Sequence, residues 1–255
     1  MKKPGKVYII GAGPGNPELL TLKGKRLLEE ARVVIYDRLV SDDVLLFINP
    51  KAERIFVGKK SYKHIVPQDE INRLLITRAK SGENIVRLKG GDPYLFGRGS
   101  EEAEILFKEG IPFEVVPGIT AASGVSAYAG IPLTDRRYAS GVTFVTGHKK
   151  NDPNQPDINW ELLAKLNHTL VIYMGVGNLN KIAKNLQENN MDPKTPAAVV
   201  RCGTVKEQIT VTGTLSNIYD KVIEKGIKAP ALLILGDVIN LQIPLNWYER
   251  NGFKH

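Results

Sequence analysis

This chain of 255 residues holds a single cysteine, Cys202. An internal disulfide is thereby excluded, as is a metal or iron–sulfur site built from several thiolates, and a reducing, cytoplasmic setting is expected. Histidine is almost as scarce: His64, His148, His168 and His255 stand far apart, and none falls at a ligand spacing such as His-Glu-x-x-His. No metal is expected. Long apolar runs are missing too. The stretch Val7 to Ile10 stops at Gly11, too short for a secretory signal, and nowhere do about eighteen apolar residues run together, so neither export nor a membrane span is expected. There is no repeat of fixed period, no heptad pattern, no low-complexity tract and no Gly-x-x-x-x-Gly-Lys-Ser/Thr phosphate loop.

What remains is the composition of a folded protein, 42% hydrophobic and 24% charged. A chain of this length buries roughly three quarters of its unfolded surface. It carries 35 Lys and Arg against 27 Asp and Glu, a net charge of +8. The basic residues are scattered, with short pairs at Lys59-Lys60, Arg136-Arg137 and Lys149-Lys150. That spread fits a small polycarboxylate at least as well as nucleic acid, and a solvated basic surface is the simplest account of all.

Short β-branched or apolar runs at Val7–Ile10, Val33–Asp37, Arg54–Val57, Ile85–Leu88 and Phe113–Val116 alternate with expected helices at Pro17–Ala31, Ser41–Phe47, Pro67–Lys80 and Gly99–Glu109. This is the rhythm of a mostly parallel sheet covered by helices. After Pro117-Gly118 an Ala/Ser/Gly-rich stretch leads to a second set of strands, at Val142–Thr146, Thr169–Met174, Ala197–Arg201, Gln208–Thr212 and Ala231–Leu235. The last two offer an antiparallel pair, so this sheet is expected to be mixed. We therefore expect two α/β domains, 1–116 and 117–247, with a ligand cleft between them.

The segment Val86 to Glu102 runs from an apolar strand through Gly90-Gly91-Asp92-Pro93 into an acidic helix start. Glycines at a strand's carboxyl end let a ligand approach the main chain, and Asp92 can accept from hydroxyl or amide donors. An ordinary strand-to-helix loop is the alternative. The first strand ends in Gly11-Ala12-Gly13-Pro14-Gly15-Asn16, with Asp37 after the second strand. A dinucleotide fingerprint fails here, because Asn16 occupies the sixth position and Pro14 removes an amide from the loop. The Gly-x-Gly-x-Gly of the commonest S-adenosylmethionine fold is present, but Ile9 stands where that motif carries an acid. The loop either binds something or only turns the chain.

Taken in order, Val7–Asn16, Tyr36–Ser41, Val57-Gly58-Lys59, Gly90–Glu102, Pro117–Ser123 and Tyr173-Met174-Gly175 resemble the tetrapyrrole methylase family from Val7 to Trp247. The resemblance implies S-adenosylmethionine held between two α/β domains, no metal, and a homodimer. It places cofactor contacts at Pro14, Gly90, Gly91, Asp92, Leu95, Thr120, Ala121, Met174, Gly203 and Ala231. Read alone, Met174 would be a core residue and Thr120-Ala121 a helix start. The pattern is most like the branch that methylates uroporphyrinogen III twice, through precorrin-1 to precorrin-2, for sirohaem and cobalamin. In that chemistry a pyrrole carbon attacks the methyl group, and the cationic ring then sheds a proton from a bridging carbon. Asp37 matches the proton acceptor and Lys59 the proton donor; without the resemblance they would read as a loop cap and a solvated lysine.

Arg98 and Arg136 are expected to bind the substrate's carboxylates through forked contacts, and Glu101 to accept from ring N–H groups. Surface ion pairing is the plainer account of all three. Asp135 and Cys202 depart from the family pattern, where His and a small polar residue are usual. No dehydrogenase–ferrochelatase segment is recognisable, so later steps are expected to need another protein. A methylase of later corrinoid intermediates, an RNA methyltransferase on the same scaffold and a non-catalytic nucleotide-binding module remain as alternatives.

Overall fold

A computed structural model describes residues 3–58, 67–147 and 158–250. The chain divides into two compact units, Met1–Ala121 and Ala122–His255.

In the first unit, β1 (Val7–Gly11), β2 (Val33–Tyr36), β3 (Glu53–Phe56), β4 (Ile85–Lys89) and β5 (Phe113–Val116) form one sheet in the order β3-β2-β4-β1-β5. Every pairing in it is parallel. Parallel neighbours need long crossovers, which the helices α1 (Leu22–Glu30), α2 (Asp42–Leu45), α3 (Gln68–Lys80) and α4 (Gly99–Lys108) provide. Because alternate strand residues point to opposite faces, Ile10, Val34, Val86 and Leu88 pack with Leu27, Leu28 and Val44 on one side. Ile9, Ile35 and Ile85 pack with Ile71 and Leu75 of α3 and Leu106 of α4 on the other.

The second unit opens with α5 (Ala121–Ala129), whose first residue closes the first unit. Its sheet contains β6 (Val142–Thr146), β7 (Thr169–Tyr173), β8 (Pro196–Arg201), β9 (Ile209–Thr214) and β10 (Ala231–Leu235), in the order β6-β7-β10-β8-β9. Only β6 and β7 pair in parallel, so the sheet is mixed. One face carries α6 (Trp160–Lys165), α7 (Leu179–Glu188) and α8 (Ile218–Glu224), through residues such as Leu163, Leu186 and Val222; the other carries α5, through Ala122 and Val125.

Two expectations change. The single helix expected over Pro17–Ala31 is a 3-10 turn at Pro17–Leu19 followed by α1. Leu20 and Thr21 are extended, and the Thr21 hydroxyl accepts from the Gly24 amide at 3.1 Å, which starts a new helix there. The antiparallel pair expected between Gln208–Thr212 and Ala231–Leu235 does not form; β8 lies between these strands and pairs with both.

Candidate functional site

In a parallel sheet the ligand-binding loops leave the carboxyl ends of the strands, and here three of them are knotted together. Gly13 and Gly91 exchange backbone hydrogen bonds of 3.2 and 2.7 Å, joining the loops after β1 and β4. A Cβ on Gly11 would stand 2.6 Å from the Gly118 backbone and 2.6 Å from the Gly91 carbonyl oxygen. No side chain fits there, which is why glycine stands at Gly11 and Gly118. Gly90 is forced by the loop after β2: a Cβ would meet that of Leu39 at 2.5 Å, so the loop carrying Asp37 is pressed against the Gly90-Gly91 turn. Gly91 itself, at φ 66°, has the main chain of Thr120 and Ala121 about 4 Å from where a Cβ would sit, and faces open space otherwise.

Asp92 clamps this arrangement. Its Oδ1 accepts from the amides of Tyr94 at 2.8 Å and Leu95 at 3.2 Å, and its Oδ2 from the Gly118 amide at 3.1 Å. On the other flank the Ser41 hydroxyl donates to the Gly15 carbonyl at 2.6 Å, closing the Gly13-Pro14-Gly15 turn against the start of α2. Pro14, Asp37, Gly90, Gly91, Asp92, Leu95, Thr120 and Ala121 therefore share the carboxyl-terminal edge of the first sheet. Lys59 lies outside the described residues.

Asp37 leaves the end of β2 with its side chain 27% exposed. Its Oδ1 accepts from the Leu39 amide at 3.1 Å, and Arg87 Nη2 donates to its Oδ2 at 3.4 Å. Arg87 and Lys89 are almost fully buried, at alternate positions of β4 on the face covered by α3 and α4. Arg87 Nε, Lys89 Nζ and Gln68 Nε2 all donate to Glu102 Oε1, at 3.1, 3.0 and 3.1 Å. Arg87 Nη1 donates to the carbonyls of Leu88 at 3.1 Å and Ile35 at 3.4 Å, and Gln68 also donates to Asn72 at 3.2 Å. Glu102 Oε2 is buried and has no partner among the described residues.

Taking one such ion out of water costs several kcal/mol, so each charge depends on the others. Burial, and then Arg87 beside it, pulls the Lys89 ammonium below the ordinary lysine range, with Glu102 pulling the other way. Burial would raise the Glu102 carboxyl, but Arg87 and Lys89 overcome it and hold it below the ordinary glutamate range. This cluster is absent from the sequence-based site. Its signal was two charges at alternate positions of an otherwise apolar strand, followed by an acidic first helical turn.

Of the residues expected to hold substrate, Arg98 and Glu101 grip each other, with Nε to Oε1 at 2.9 Å and Nη2 to Oε2 at 2.6 Å. Arg98 has a left-handed backbone, φ 60°, at the N-cap of α4. Arg136 is exposed in the second unit, and its neighbour Asp135 is occupied by Arg137, whose side-chain and backbone hydrogen bonds lower the Asp135 carboxyl to about 2.

The remaining expected cofactor residues gather at one end of the second sheet. Met174 and Gly203 follow β7 and β8, and Ala231, which starts antiparallel β10 between them, stands opposite Arg201. Strain concentrates there: Met174, Cys202 and Thr204 have φ of 54°, 48° and 75°. Met174 is 53% exposed despite its apolar side chain. Gly203 is sterically required, since a Cβ would stand 2.4 Å from Val125 Cγ2 of α5.

Known proteins share this architecture. Residues 6–219 match the model of the Tetrapyrrole (Corrin/Porphyrin) Methylases. Siroheme synthases of Acinetobacter baylyi and Thiobacillus denitrificans are 54% and 51% identical to the chain over 243 and 245 residues, 95% and 96% of it. The chain spans about half the length of these relatives, 53% and 51%. The crystal structure of uroporphyrin-III C-methyl transferase from Thermus thermophilus, complexed with S-adenyl homocysteine, superposes with a TM-score of 0.79 at 42% identity, covering 93% of this chain and 94% of that one. A cobalt precorrin-4 methyltransferase, CbiF, gives 0.81 at 30% identity, covering 92% and 95%. With most of its length matched by the family model, and with relatives this similar, the chain belongs to the tetrapyrrole methylases.

Proposed function

We propose that this chain transfers methyl groups from S-adenosylmethionine to two pyrrole carbons of uroporphyrinogen III, giving precorrin-2 by way of precorrin-1. The observation that carries this reading is the 42% identity, over nearly the full length of both chains, to a uroporphyrin-III C-methyl transferase complexed with S-adenyl homocysteine.

The residues suit such a donor. Gly91 offers a bare main-chain surface beside Thr120 and Ala121, and Met174 an exposed, adaptable apolar one. S-adenosylmethionine, when bound, supplies an activated methyl group on a sulfonium. Its proposed contacts are Pro14, Gly90, Gly91, Leu95, Thr120 and Ala121 in the first unit and Met174, Gly203 and Ala231 in the second. Asp92 acts through the loops, because its carboxylate is engaged by three amides. Asp37 takes the proton shed from the bridging carbon once a ring carbon has been methylated, and its exposed edge returns that proton to water. Lys59 is proposed as the proton donor. Arg136 and Arg98 bind carboxylates on the substrate's periphery, Arg98 by exchanging Glu101 for the ligand, which frees Glu101 to accept from pyrrole N–H groups. The net charge of +8 favours such an acidic macrocycle. A homodimer working in the cytoplasm and feeding sirohaem and cobalamin synthesis completes the proposal.

Anaerobic incubation with S-adenosylmethionine and uroporphyrinogen III, followed by mass analysis, tests it. A gain of two methyl groups is expected. Transfer to a later corrinoid intermediate alone, or to RNA alone, would replace this reading by one of those.

A further inference from the structure

Asp37 is the only member of the buried charge cluster that reaches solvent, and the cluster's geometry runs toward it. We propose that Arg87 is a positioning residue for Asp37, itself fixed by Glu102, so that the Asp37–Arg87–Glu102 chain aims the proton-accepting oxygen. This rests on the reading of Asp37 as the proton acceptor.

The fork of Arg87 is committed on every side. Nε is committed to Glu102 and Nη1 to the carbonyls of Leu88 and Ile35, which leaves Nη2 directed at Asp37 Oδ2. Oδ1 is tied to the Leu39 amide, so both carboxylate oxygens are oriented from the protein side. A guanidinium anchored at three other points cannot swing away from Asp37 without abandoning buried partners. Glu102 is held in turn by Lys89 and Gln68 on the same oxygen.

Arg87, Lys89, Glu102 and Asp37 balance when all are ionised. Among the described residues, the charged group bonded to the Asp37 carboxylate is Arg87 of β4 at 3.4 Å, with Lys89 of β4 and Glu102 of α4 behind it; α3 adds the uncharged amides of Gln68 and Asn72. Losing the Arg87 guanidinium would leave Glu102 to Lys89 and Gln68 and take the Arg87 donor away from Asp37 Oδ2.

The test is kcat and KM in Arg87→Gln and Arg87→Lys, beside Asp37→Asn and the core variant Leu106→Ala, with S-adenosylhomocysteine affinity measured for each. Arg87→Gln is expected to lose at least about tenfold in kcat, with KM and S-adenosylhomocysteine affinity as in the native protein. Arg87→Lys keeps the charge and loses the fork, so it recovers only part of kcat. Leu106→Ala, on the same helix as Glu102, is expected to lower thermal stability with kcat unchanged. If Arg87→Gln keeps the native kcat while Asp37→Asn is inactive, the positioning role is wrong and the catalytic reading stands. Should Arg87→Gln fail to fold, a native kcat in Arg87→Lys would overturn the positioning role by itself. Native turnover in Asp37→Asn would remove the reading beneath it.

Discussion

Replacing Asp92 asks whether that carboxylate works through the loops or directly on a ligand. It receives three backbone amides, from Tyr94, Leu95 and Gly118, at 2.8, 3.2 and 3.1 Å, and so ties the loop after β4 to the one after β5. A hydrogen bond to a charged group contributes about 1.5 to 3 kcal/mol when well buried. Asp92 is half-buried, and water can reach part of the loop once the carboxylate is gone, so about 1 kcal/mol for each bond is the better figure. Asp92→Ala then costs about 3 kcal/mol. Asp92→Asn keeps an oxygen for Tyr94 and Leu95 but turns an NH2 toward the Gly118 amide, and costs about 1 to 2 kcal/mol. For a chain of this size each kcal/mol lowers Tm by about 2 to 4 °C. Scanning calorimetry should therefore show Asp92→Ala melting about 6 to 12 °C below the native protein, with Asp92→Asn about midway. A drop below about 2 °C for Asp92→Ala, together with lost S-adenosylhomocysteine binding, would mean that Asp92 serves the ligand and that the clamp contributes little.

Gly11→Ala should disrupt the three-loop knot more severely than Asp92→Ala, because its Cβ meets backbone atoms of two other loops at 2.6 Å; the expected result in calorimetry is a lower Tm with S-adenosylhomocysteine affinity reduced at least about tenfold. Gly203→Ala should likewise weaken that affinity, since the new methyl collides with Val125, while Gly110→Ala, where nothing stands nearby, tests only the cost of a left-handed φ of 66°. Glu114 supplies a pH signature. Hydrogen bonds from Lys23, then Lys6, hold its carboxyl at about 2, against an ordinary value of 4.5. A lowered folded-state value stabilises above the unfolded one and is lost as pH falls through the folded one. The Tm gap between the native protein and Glu114→Gln should thus be open at pH 6 and close between about pH 4.5 and 2; a gap constant down to pH 2 would contradict the pairing.

Much of the fold was legible because its signals are local. The apolar runs that became β1 to β5 end within a residue or two of their expected limits. What local patterns do not carry is partner choice. The order β6-β7-β10-β8-β9 places β8 between the two strands expected to pair, and a helix pattern that is continuous in composition breaks at Leu20-Thr21 where backbone geometry decides.

The same division runs through the candidate site. Glycines pointed to the loops after β1 and β4, and the family resemblance to the one after β5; these are the loops in contact. The partners of Asp37 were hidden because Arg87, Lys89 and Glu102 are brought together only by the packing of α4 on β4, and a charged residue in a strand otherwise reads as an edge or a surface. Arg98 and Glu101, three residues apart on one helical turn, were expected as ligand groups with ion pairing as the plainer account, and the structure holds them as a single forked pair.

We propose that the carboxyl edge of the first sheet carries out proton removal after methyl transfer, with Asp37 as acceptor. The most direct test is an anaerobic single-turnover experiment with S-adenosylmethionine and uroporphyrinogen III, comparing the native protein with Asp37→Asn and with S-adenosylhomocysteine titrated into both. The account predicts equal S-adenosylhomocysteine affinity, two methyl groups gained with the native protein, and product formation at least about a hundredfold slower with the variant. Equal rates of methylated product from the two proteins would contradict it.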